Sequence, residues 1–476
     1  MVRLLVFLIV CATIGRAQGP TSEWTLGNGF TVSFDSISGP IVSGNHSMLG
    51  IESIATLNSA NGDLLAYSNG YRIWNRNDDL LEGIEGLDSY QPGGSGSSVS
   101  SSTVFVPTSD QRFYWFITIT GVGAPSDSLG AGISASLIDI TLDGGLGGIV
   151  DSVKNLIVRS HVSEYLHVIR HANGRDWWIY SRSENIDSTI IYKDLLTDTG
   201  SISFPPEELG FQLRGRIGNI TTSPCGCYLA LAGFGSESLE DGGFGVFKID
   251  RATGALTSIG HVVSTETLYG VEFSQGGNFL YVSSGNPQNI YQVDYLSGPT
   301  LIVDTVYSLD LGLVSFGQLR RGDDGLIYFP INDVGPDLVF DDYLGAIESP
   351  DLAGVSCNVN PQYLFLDPDP TTSAGLPAFP NYVLEPGDCV DSISTTVSYS
   401  AIREEAIFNS NIGSMFYLNQ SLRSIILYDM QGSIVVKYMN PSRQIDLSLS
   451  VDPGNYIATA QSREGYVLRQ RIAVIR

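Results

Sequence analysis

Short runs of alternating apolar and polar residues, rather than helical periodicity, recur along most of the chain. The alternation is clearest in QIDLSLSV from Gln444, where every second residue from Ile445 to Val451 is apolar. Most runs are bounded by glycine or by small polar residues, and the chain contains 53 glycines. This pattern predicts an all-β protein with many tight turns.

One unit recurs along the first four-fifths of the chain. It consists of a polar turn containing glycine, followed by aromatic and aliphatic residues that end in small polar ones. The copies are SANGDLLAYSNG from Ser59, TSDQRFYWFITIT from Thr108, HANGRDWWIYSRS from His171, TSPCGCYLALAGF from Thr222, SQGGNFLYVSSGN from Ser274 and RRGDDGLIYFPIN from Arg320.

The period of this unit is about fifty residues. The spacings between equivalent turn positions are 48, 64, 52, 51 and 48, taking those positions as Gly62, Asp110, Gly174, Gly226, Gly277 and Gly325. A repeat of this length with several short strands is typical of a β-propeller blade, because each sheet buries its faces only against its neighbours. Residues 18–385 have room for about seven such units, so we predict a seven-bladed β-propeller. We expect WTLGNGFTVSFD from Trp24 to close the ring by adding a strand to the last blade.

The last part of the chain has a different organisation. Residues 386–402 are rich in Ser and Thr without a long apolar run, which predicts a linker. Residues 403–476 contain several short strand patterns separated by turns. One predicted hairpin is LYDMQGSIV from Leu427, and a second surrounds the turn at Arg463. We expect a small C-terminal β-sandwich.

The N-terminal 17 residues have the pattern of a secretory signal peptide. Arg3 precedes an apolar stretch from Leu4 to Ile14, and Gly15-Arg16-Ala17 forms a small-x-small cleavage site. No other run approaches the ~20 apolar residues of a membrane-spanning helix. We therefore expect export through the periplasm to the outside of the cell or to its surface, with no integral membrane segment.

The net charge of −25 is unevenly distributed. From Ala401 onward the chain has 8 basic and 6 acidic residues, so the predicted propeller holds nearly all of the negative charge. An acidic body repels phosphate-rich partners, which argues against nucleic acid or anionic lipid as a ligand.

Four cysteines follow the predicted signal peptide: Cys225, Cys227, Cys357 and Cys389. Three pairings are open. We expect Cys357 to pair with Cys389, since each lies near the predicted seam of the ring. The Cys225-Gly226-Cys227 motif is an alternative redox or metal pair.

The remaining candidate chemistry is sparse, and no catalytic or cofactor-binding residue is assigned. His161, His167 and His171 lie close in sequence, but His171 falls in a blade turn, where we expect it to hydrogen-bond the turn backbone. Acidic residues that could bind calcium cluster on predicted loops, although none has the spacing of a calcium-binding loop. These residues are Asp323, Asp324, Asp337, Asp341, Asp342, Asp367 and Asp369.

The predicted propeller resembles the N-terminal propeller of gliding-motility-associated and adhesion proteins secreted by gliding bacteria. The resemblance rests on an ordered set of motifs: ANGDLLAYSNGYRIWNRN from Ala60, VIRHANGRDWWIY from Val168, VEFSQGGNFLYVSS from Val271, GQLRRGDDGLIYF from Gly317, YLGAIESPD from Tyr343 and GLPAFPNY from Gly375. It implies a secreted propeller. Lactonase-like propellers share the GxxLYV-type blade signature, which makes a hydrolase the alternative.

The tail resembles the C-terminal sorting domain of type IX secretion cargo, the Por secretion tail. The matching motifs are LYDMQGSIV, IDLSLSVDPGNYIATA and GYVLRQRIAV, although the Pro-Asn-Pro turn that often opens this domain is missing. The resemblance implies recognition by the type IX secretion machinery. The residues that match the sorting motif are Leu427, Tyr428, Asp429, Gly432, Gly454 and Tyr456.

Two functions follow as hypotheses. The first is a non-catalytic binding or adhesion propeller for an extracellular protein or glycan, delivered by the C-terminal domain. The second is a propeller hydrolase of lactonase type. The first predicts a channel lined by ordinary polar residues, and the second predicts convergent His, Asp or Glu side chains with perturbed protonation at one mouth of the channel.

Overall fold

The computed structural model divides the chain into two compact units, Met1–Cys389 and Val390–Arg476. Helical structure among the described residues consists of 3-10 turns at Gly27–Gly29, Ile84–Gly86, Asp143–Gly145 and Gly354–Cys357. None of the described helices is long and apolar enough to cross a membrane. The described residues are 19–35, 39–44, 46–92, 96–100, 102–120, 131–235, 242–309, 314–333, 342–366, 374–382, 408–412, 415–418, 422–428, 434–439, 444–446, 454–462 and 467–474.

The first unit is a seven-bladed β-propeller, which confirms the predicted fold. Blades 1 to 3 contain β1 (Glu23–Thr25), β2 (Phe30–Asp35) and β3 (Gly39–Gly44); β4 (Ile54–Asn58), β5 (Leu64–Ser68) and β6 (Ile73–Asn75); β7 (Thr103–Pro107), β8 (Phe113–Thr120), β9 (Gly132–Asp139), β10 (Gly148–Ile149) and β11 (Leu156–Ser160). Blades 4 and 5 contain β12 (Val162–Arg170), β13 (Trp177–Ser183), β14 (Ile190–Thr197), β15 (Gly200–Ser203) and β16 (Glu207–Glu208); β17 (Gly218–Thr222), β18 (Tyr228–Gly233), β19 (Gly242–Ile249) and β20 (Leu256–Ser264).

The last two blades complete the ring. Blade 6 contains β21 (Leu268–Phe273), β22 (Leu280–Ser284), β23 (Asn289–Asp294) and β24 (Ile302–Ser308). Blade 7 contains β25 (Val314–Phe316), β26 (Arg320–Arg321), β27 (Ile327–Asp333), β28 (Tyr343–Ile347) and β29 (Val359–Phe365). Neighbouring strands within each of these blade sheets pair antiparallel, and β11, β16 and β26 pair with β9, β14 and β27 rather than with the strand before them. The first strands of neighbouring blades contact one another, so they line the central channel.

The turn between the first and second strands is the same in blades 2 to 7. The glycines that define the repeat have positive φ, for example +70° at Gly277, where the backbone N–H donates to the Ser274 carbonyl at 2.9 Å. Glycine adopts this left-handed conformation without the steric cost of a Cβ atom. In blade 3 the position belongs to Gln111, with φ +56°, rather than to the predicted Asp110. The predicted repeat is therefore correct, with a shift of one residue in one blade.

Apolar clusters lie between successive blades, so the core is a ring of interfaces. At the interface of blades 7 and 1, Trp24 packs edge-on against Tyr328, with ring centroids 5.7 Å apart. Blade 1 is joined to blade 2 by the Thr25 backbone N–H, which donates to Thr56 Oγ1 at 2.9 Å. Each sheet is therefore buried by its neighbours, as the repeat implies.

Closure of the ring differs from our expectation. The segment from Trp24 forms a separate three-stranded blade, because Asn28 and Gly29 adopt φ values of +66° and +90° and turn β1 back onto β2. The ring closes instead through β30 (Pro377–Ala378), which pairs parallel with β4 of blade 2.

The second unit contains two sheets. One has the order β31-β32-β35 and the other β34-β33-β36-β37, and Ile425, Leu427, Ile445, Tyr456 and Ala458 are buried. The predicted strands at Leu427 and on both sides of Arg463 are confirmed, whereas the predicted turn from Asp429 to Gly432 lies outside the described residues. The strands are β31 (Phe408–Ile412), β32 (Met415–Leu418), β33 (Leu422–Tyr428), β34 (Ile434–Met439), β35 (Gln444–Asp446), β36 (Gly454–Ser462) and β37 (Val467–Val474).

Candidate functional site in the propeller channel

The channel has two chemically different ends. We call them the leading end, where the first strands of the blades begin, and the turn end, where those strands run into their turns. Residues 374–382, the channel segment, extend from one to the other. At the leading end the Gly375 N–H donates to the Ile51 carbonyl at 3.0 Å. At the turn end the Asn381 N–H donates to the Val168 carbonyl at 3.1 Å, so the propeller's own chain occupies part of its channel.

A cavity of about 290 Å³ lies at the turn end, which we call the turn-end cavity. Its walls come from blades 4 to 7, from the residues before β1 and from the channel segment. The polar lining side chains include Thr21, His167, Thr222, Glu272, Arg320 and Asp323.

Two arginines and two carboxylates, those of Glu272 and Asp323, form the charged wall of the turn-end cavity. Arg321 has two hydrogen-bond acceptors, since Nη1 donates to the Phe273 carbonyl at 3.1 Å and to Glu272 Oε1 at a longer 3.4 Å. Arg320 approaches Glu272 only to 3.9 Å, and its side chain is 12 % exposed. Among the described residues the Arg320 guanidinium has no hydrogen-bond acceptor, and its Nε is buried. A buried donor without an acceptor costs free energy unless a ligand or water satisfies it.

His167 is the histidine that faces this cavity. Nε2 lies 2.9 Å from Thr222 Oγ1, and the residue is 8 % exposed. Burial, together with the positive charges of Arg320 and Arg321, lowers the pKa of His167 to about 3. The ring is therefore neutral at physiological pH and contributes hydrogen bonds rather than charge.

The leading end holds a carboxylate cluster, which consists of Glu52, Glu164, Tyr269 and Ser100. Tyr269 Oη donates to Glu52 Oε1 at 3.1 Å. Ser100 donates to Glu164 Oε2 twice, from its backbone N–H at 3.0 Å and from Oγ at 2.9 Å. The Glu164 carboxylate is close enough to Glu52 to affect its pKa, which places the two carboxyl groups in one cluster. Side chains from four blade regions therefore meet at this end.

Protonation of the carboxylate cluster is perturbed. Burial, together with the nearby Glu164 carboxylate, raises the pKa of Glu52 to about 7. Burial also raises the pKa of Glu164 and outweighs the opposing hydrogen bonds from Ser100. Desolvation disfavours a buried carboxylate, and like charge adds to the effect. Glu52 is accordingly a group that changes charge near neutral pH.

We predict that Glu52→Gln changes how stability depends on pH. The folded chain keeps the Glu52 proton up to about pH 7, whereas the ordinary value is 4.5. Wild-type stability should therefore fall as pH rises between these values, because the folded state binds more protons than the unfolded state there. Relative to wild type, the variant should gain roughly 2 kcal/mol of unfolding free energy between pH 5 and pH 8.

Urea unfolding at several pH values measures this difference. The exposed Glu85→Gln variant is the matched control, because it removes a carboxyl group from the surface. A gain in Glu52→Gln that stays constant from pH 5 to pH 8 would show that Glu52 is not held protonated by the fold.

The three histidines close in sequence do not converge. His161 is exposed, with Nδ1 2.8 Å from Glu184 Oε1. His171 Nδ1 accepts the Asn173 backbone N–H at 3.0 Å, which confirms its predicted role in the turn.

The cysteines differ from the expected pairing. Cys357 is a free, buried thiol in the core between blades 6 and 7, so the predicted Cys357–Cys389 disulfide is not present in the structure. Burial raises the pKa of the Cys357 thiol, which keeps it protonated. Cys227 is disulfide-bonded, and the neighbouring Cys225 is free and exposed.

The acidic residues considered for calcium have separate roles where they are described. Asp323 accepts a hydrogen bond from Thr21 at the turn-end cavity, and Asp324 accepts one from Tyr328 Oη at 2.7 Å. In the described part of the chain, no three His, Cys, Asp or Glu side chains are grouped so as to hold a metal ion. The predicted candidates outside the described residues are Asp337, Asp341, Asp367 and Asp369.

The sorting-motif residues lie in the second unit. Leu427 and Tyr428 end β33, and Leu427 is buried. Gly454 begins β36, followed by the buried Tyr456. Asp429 and Gly432 are outside the described residues, so their predicted role stays a prediction.

Sequence reasoning missed both ends of the channel. Arg320 was interpreted only as part of a repeat turn, and Glu52 and Tyr269 lie 217 residues apart in the chain. One signal was present in the sequence: Glu164 and Tyr269 each lie at the beginning of a first strand, and such positions converge on one end of a propeller channel.

Solved structures of low sequence identity are similar to the chain, whereas no family profile and no curated protein matches it. A protein from Lactobacillus plantarum is similar, with a TM-score of 0.43 and 14% identity over 75% of this chain and 98% of that one. A putative 6-phosphogluconolactonase from Bacteroides fragilis has a TM-score of 0.35 and 14% identity over 62% of this chain and 83% of that one. PorZ, a surface component of the type IX secretion system of Porphyromonas gingivalis, has a TM-score of 0.33 and 11% identity over 96% of this chain and 69% of that one.

Proposed function

We propose that the chain is an exported propeller that binds a ligand in its turn-end cavity without converting it, as a binding or adhesion module outside the cell. The observation that carries the proposal is the Arg320 guanidinium. It lines the cavity, is largely buried, and has no hydrogen-bond acceptor among the described residues. Buried arginine donors are normally satisfied, so a ligand with acceptor oxygens is the natural partner.

The surroundings of Arg320 favour binding over catalysis at this end of the channel. His167 is neutral and already hydrogen-bonded to Thr222, and Glu272 is engaged by Arg321. General acid–base catalysis needs a group that titrates near the working pH, and a histidine with a pKa of about 3 does not. Asp323, whose pKa is raised by burial, also lines this end but already accepts a hydrogen bond from Thr21, so the turn end is better suited to recognition.

We further propose that the second unit delivers the propeller. The support comes from the signal-peptide pattern of residues 1–17 and from the sorting-domain motifs around Leu427, Gly454 and Tyr456. The slightly basic charge of this region contrasts with the acidic propeller, which suits a segment with a separate partner. That partner would be the type IX secretion machinery.

The carboxylate cluster favours a second candidate function, a hydrolase of lactonase type. Glu52 has a pKa of about 7, accepts a hydrogen bond from Tyr269 and lies near the Glu164 carboxylate, so two carboxyl groups are available as a general acid–base pair. Hydrolysis would then take place at the leading end of the channel.

A turnover assay separates the two functions. We expect the full-length chain to leave the spontaneous hydrolysis of D-glucono-δ-lactone unchanged, and Glu52→Gln and Glu164→Gln to behave like wild type. Acceleration that falls by about 100-fold or more in both variants would establish the hydrolase, because positioned acid–base groups contribute effects of that size.

A further inference from the structure

The donors and charges that line the turn-end cavity restrict the class of ligand that it can bind. Resting on the binding function proposed above, we infer that it takes a small hydroxylated carboxylate of monosaccharide size, a uronate, whose carboxylate is bound by Arg320.

The donor set of Arg320 fits a carboxylate. A guanidinium presents five N–H groups in a planar fork, and none of those of Arg320 is hydrogen-bonded to a described residue. Carboxylates match this fork with two parallel hydrogen bonds. Glu272 does not form these two hydrogen bonds with Arg320, because its carboxylate is 3.9 Å away and accepts hydrogen bonds from Arg321.

The balance of charge selects a singly charged ligand with hydroxyl groups. The walls carry Asp323 and Glu272 as well as the two arginines, so a phosphate dianion would meet two carboxylates. The same carboxylates accept hydrogen bonds from ligand hydroxyls. Thr222 and Asn381 add neutral polar groups to the lining, which is the mixture that a sugar ring with several hydroxyls requires.

Size and shape agree with a single sugar ring. The cavity volume of about 290 Å³ lies at the lower limit of small-molecule sites. Phe379 and Pro380 of the channel segment contribute apolar surface to the lining, against which the carbon face of a pyranose can pack.

Isothermal titration of the full-length chain with sodium D-glucuronate tests the inference. D-glucose is the matched neutral probe, since it differs by a hydroxymethyl group in place of the carboxylate, and inorganic phosphate tests a simple anion site. We expect glucuronate to bind at least about tenfold more tightly than glucose or phosphate, because each charge-assisted hydrogen bond contributes more than a neutral one. Arg320→Gln should remove this preference, and Arg320→Lys should retain part of it, since lysine keeps the charge without the fork.

Arg214→Gln is the matched control for the loss of one positive charge. Arg214 is exposed in the same unit, and its replacement should leave glucuronate affinity unchanged. Thermal unfolding without ligand shows whether Arg320→Gln is folded. If Arg320→Gln is unfolded, the relative affinity of the wild-type chain for glucuronate and glucose still tests whether the cavity prefers a uronate.

Failure of this inference differs from failure of the proposed function. Equal binding of glucuronate and glucose, unaffected by Arg320→Gln, would overturn the uronate class and leave a binding propeller in place. Tighter Arg320-dependent binding of phosphate would replace the uronate with a phosphate ligand. Absence of binding by all three probes would overturn the uronate inference, whereas Glu52-dependent lactone turnover would overturn the binding function itself.

Discussion

Replacing Gly375 by alanine should destabilise the propeller by about 3 kcal/mol, because the added methyl group would disturb the pairing of β30 with β4. A Cβ atom at this position would lie 2.3 Å from the Glu52 carbonyl oxygen and 2.5 Å from the Glu52 Cα. Both are backbone atoms next to β4, so they cannot turn aside as a flexible side chain would. Relief requires β30 to move away from β4, and overpacking of this kind typically costs ~1–3 kcal/mol before any pairing is lost.

The matched control is Gly298→Ala, where the new Cβ would be 3.8 Å from its nearest neighbour, the Thr300 carbonyl oxygen. We expect that variant to remain within about 0.5 kcal/mol of wild type. Urea unfolding of both variants measures the difference. Equal stability would mean that the contact between the channel segment and β4 does not close the ring.

A loosened segment should also weaken ligand binding, since Phe379 and Pro380 form part of the cavity wall.

The blade architecture was accessible from the sequence because it depends on local rules. The positive φ at Gly62, Gly174 and Gly277 requires glycine, and the apolar runs that follow them form second strands. Both signals lie within about fifteen residues, so a single sequence displays them. Gln111 is the exception, because a turn position with positive φ that is not glycine cannot be recognised from the residue type alone.

The closure of the ring was not accessible in the same way. Pro377 and Ala378 form only two residues of strand, and their partner β4 lies more than 300 residues earlier. Parallel pairing across that distance leaves no hydrophobic period in the sequence. Blade 1 was missed for a related reason, since its turn at Asn28 and Gly29 does not follow the repeat.

The candidate sites depend on convergence around the axis, which has no sequence pattern. Glu52, Ser100 and Tyr269 come from different blade regions and meet only because the first strands share one channel. Arg320 was hidden by its place in a repeat turn, although that same place positions it at the turn end. The expected Cys357–Cys389 disulfide is not found, because the Cys357 side chain is buried in the core between blades 6 and 7. Its position near the seam in sequence does not show which way the side chain points.

Deletion of residues 403–476 should abolish export while leaving a folded propeller. The two compact units support this expectation, since the first contains all seven blades and the closing strand β30. The proposed role of the second unit predicts that the truncated chain accumulates in the periplasm of a host with type IX secretion. A complementary fusion protein, in which residues 390–476 follow an unrelated periplasmic domain, should be carried outside the cell.

The measurement that tests the proposed function most directly is cell fractionation of such a host expressing the full-length or the truncated chain. Quantitative immunoblotting gives the fraction of each chain in the medium, on the surface and in the periplasm, and glucuronate titration of the periplasmic product tests binding. We predict that the full-length chain lies outside the cell, and that the truncated chain stays in the periplasm with unchanged affinity. Truncated chain in the medium or on the surface at full-length levels would contradict the proposed delivery by the second unit.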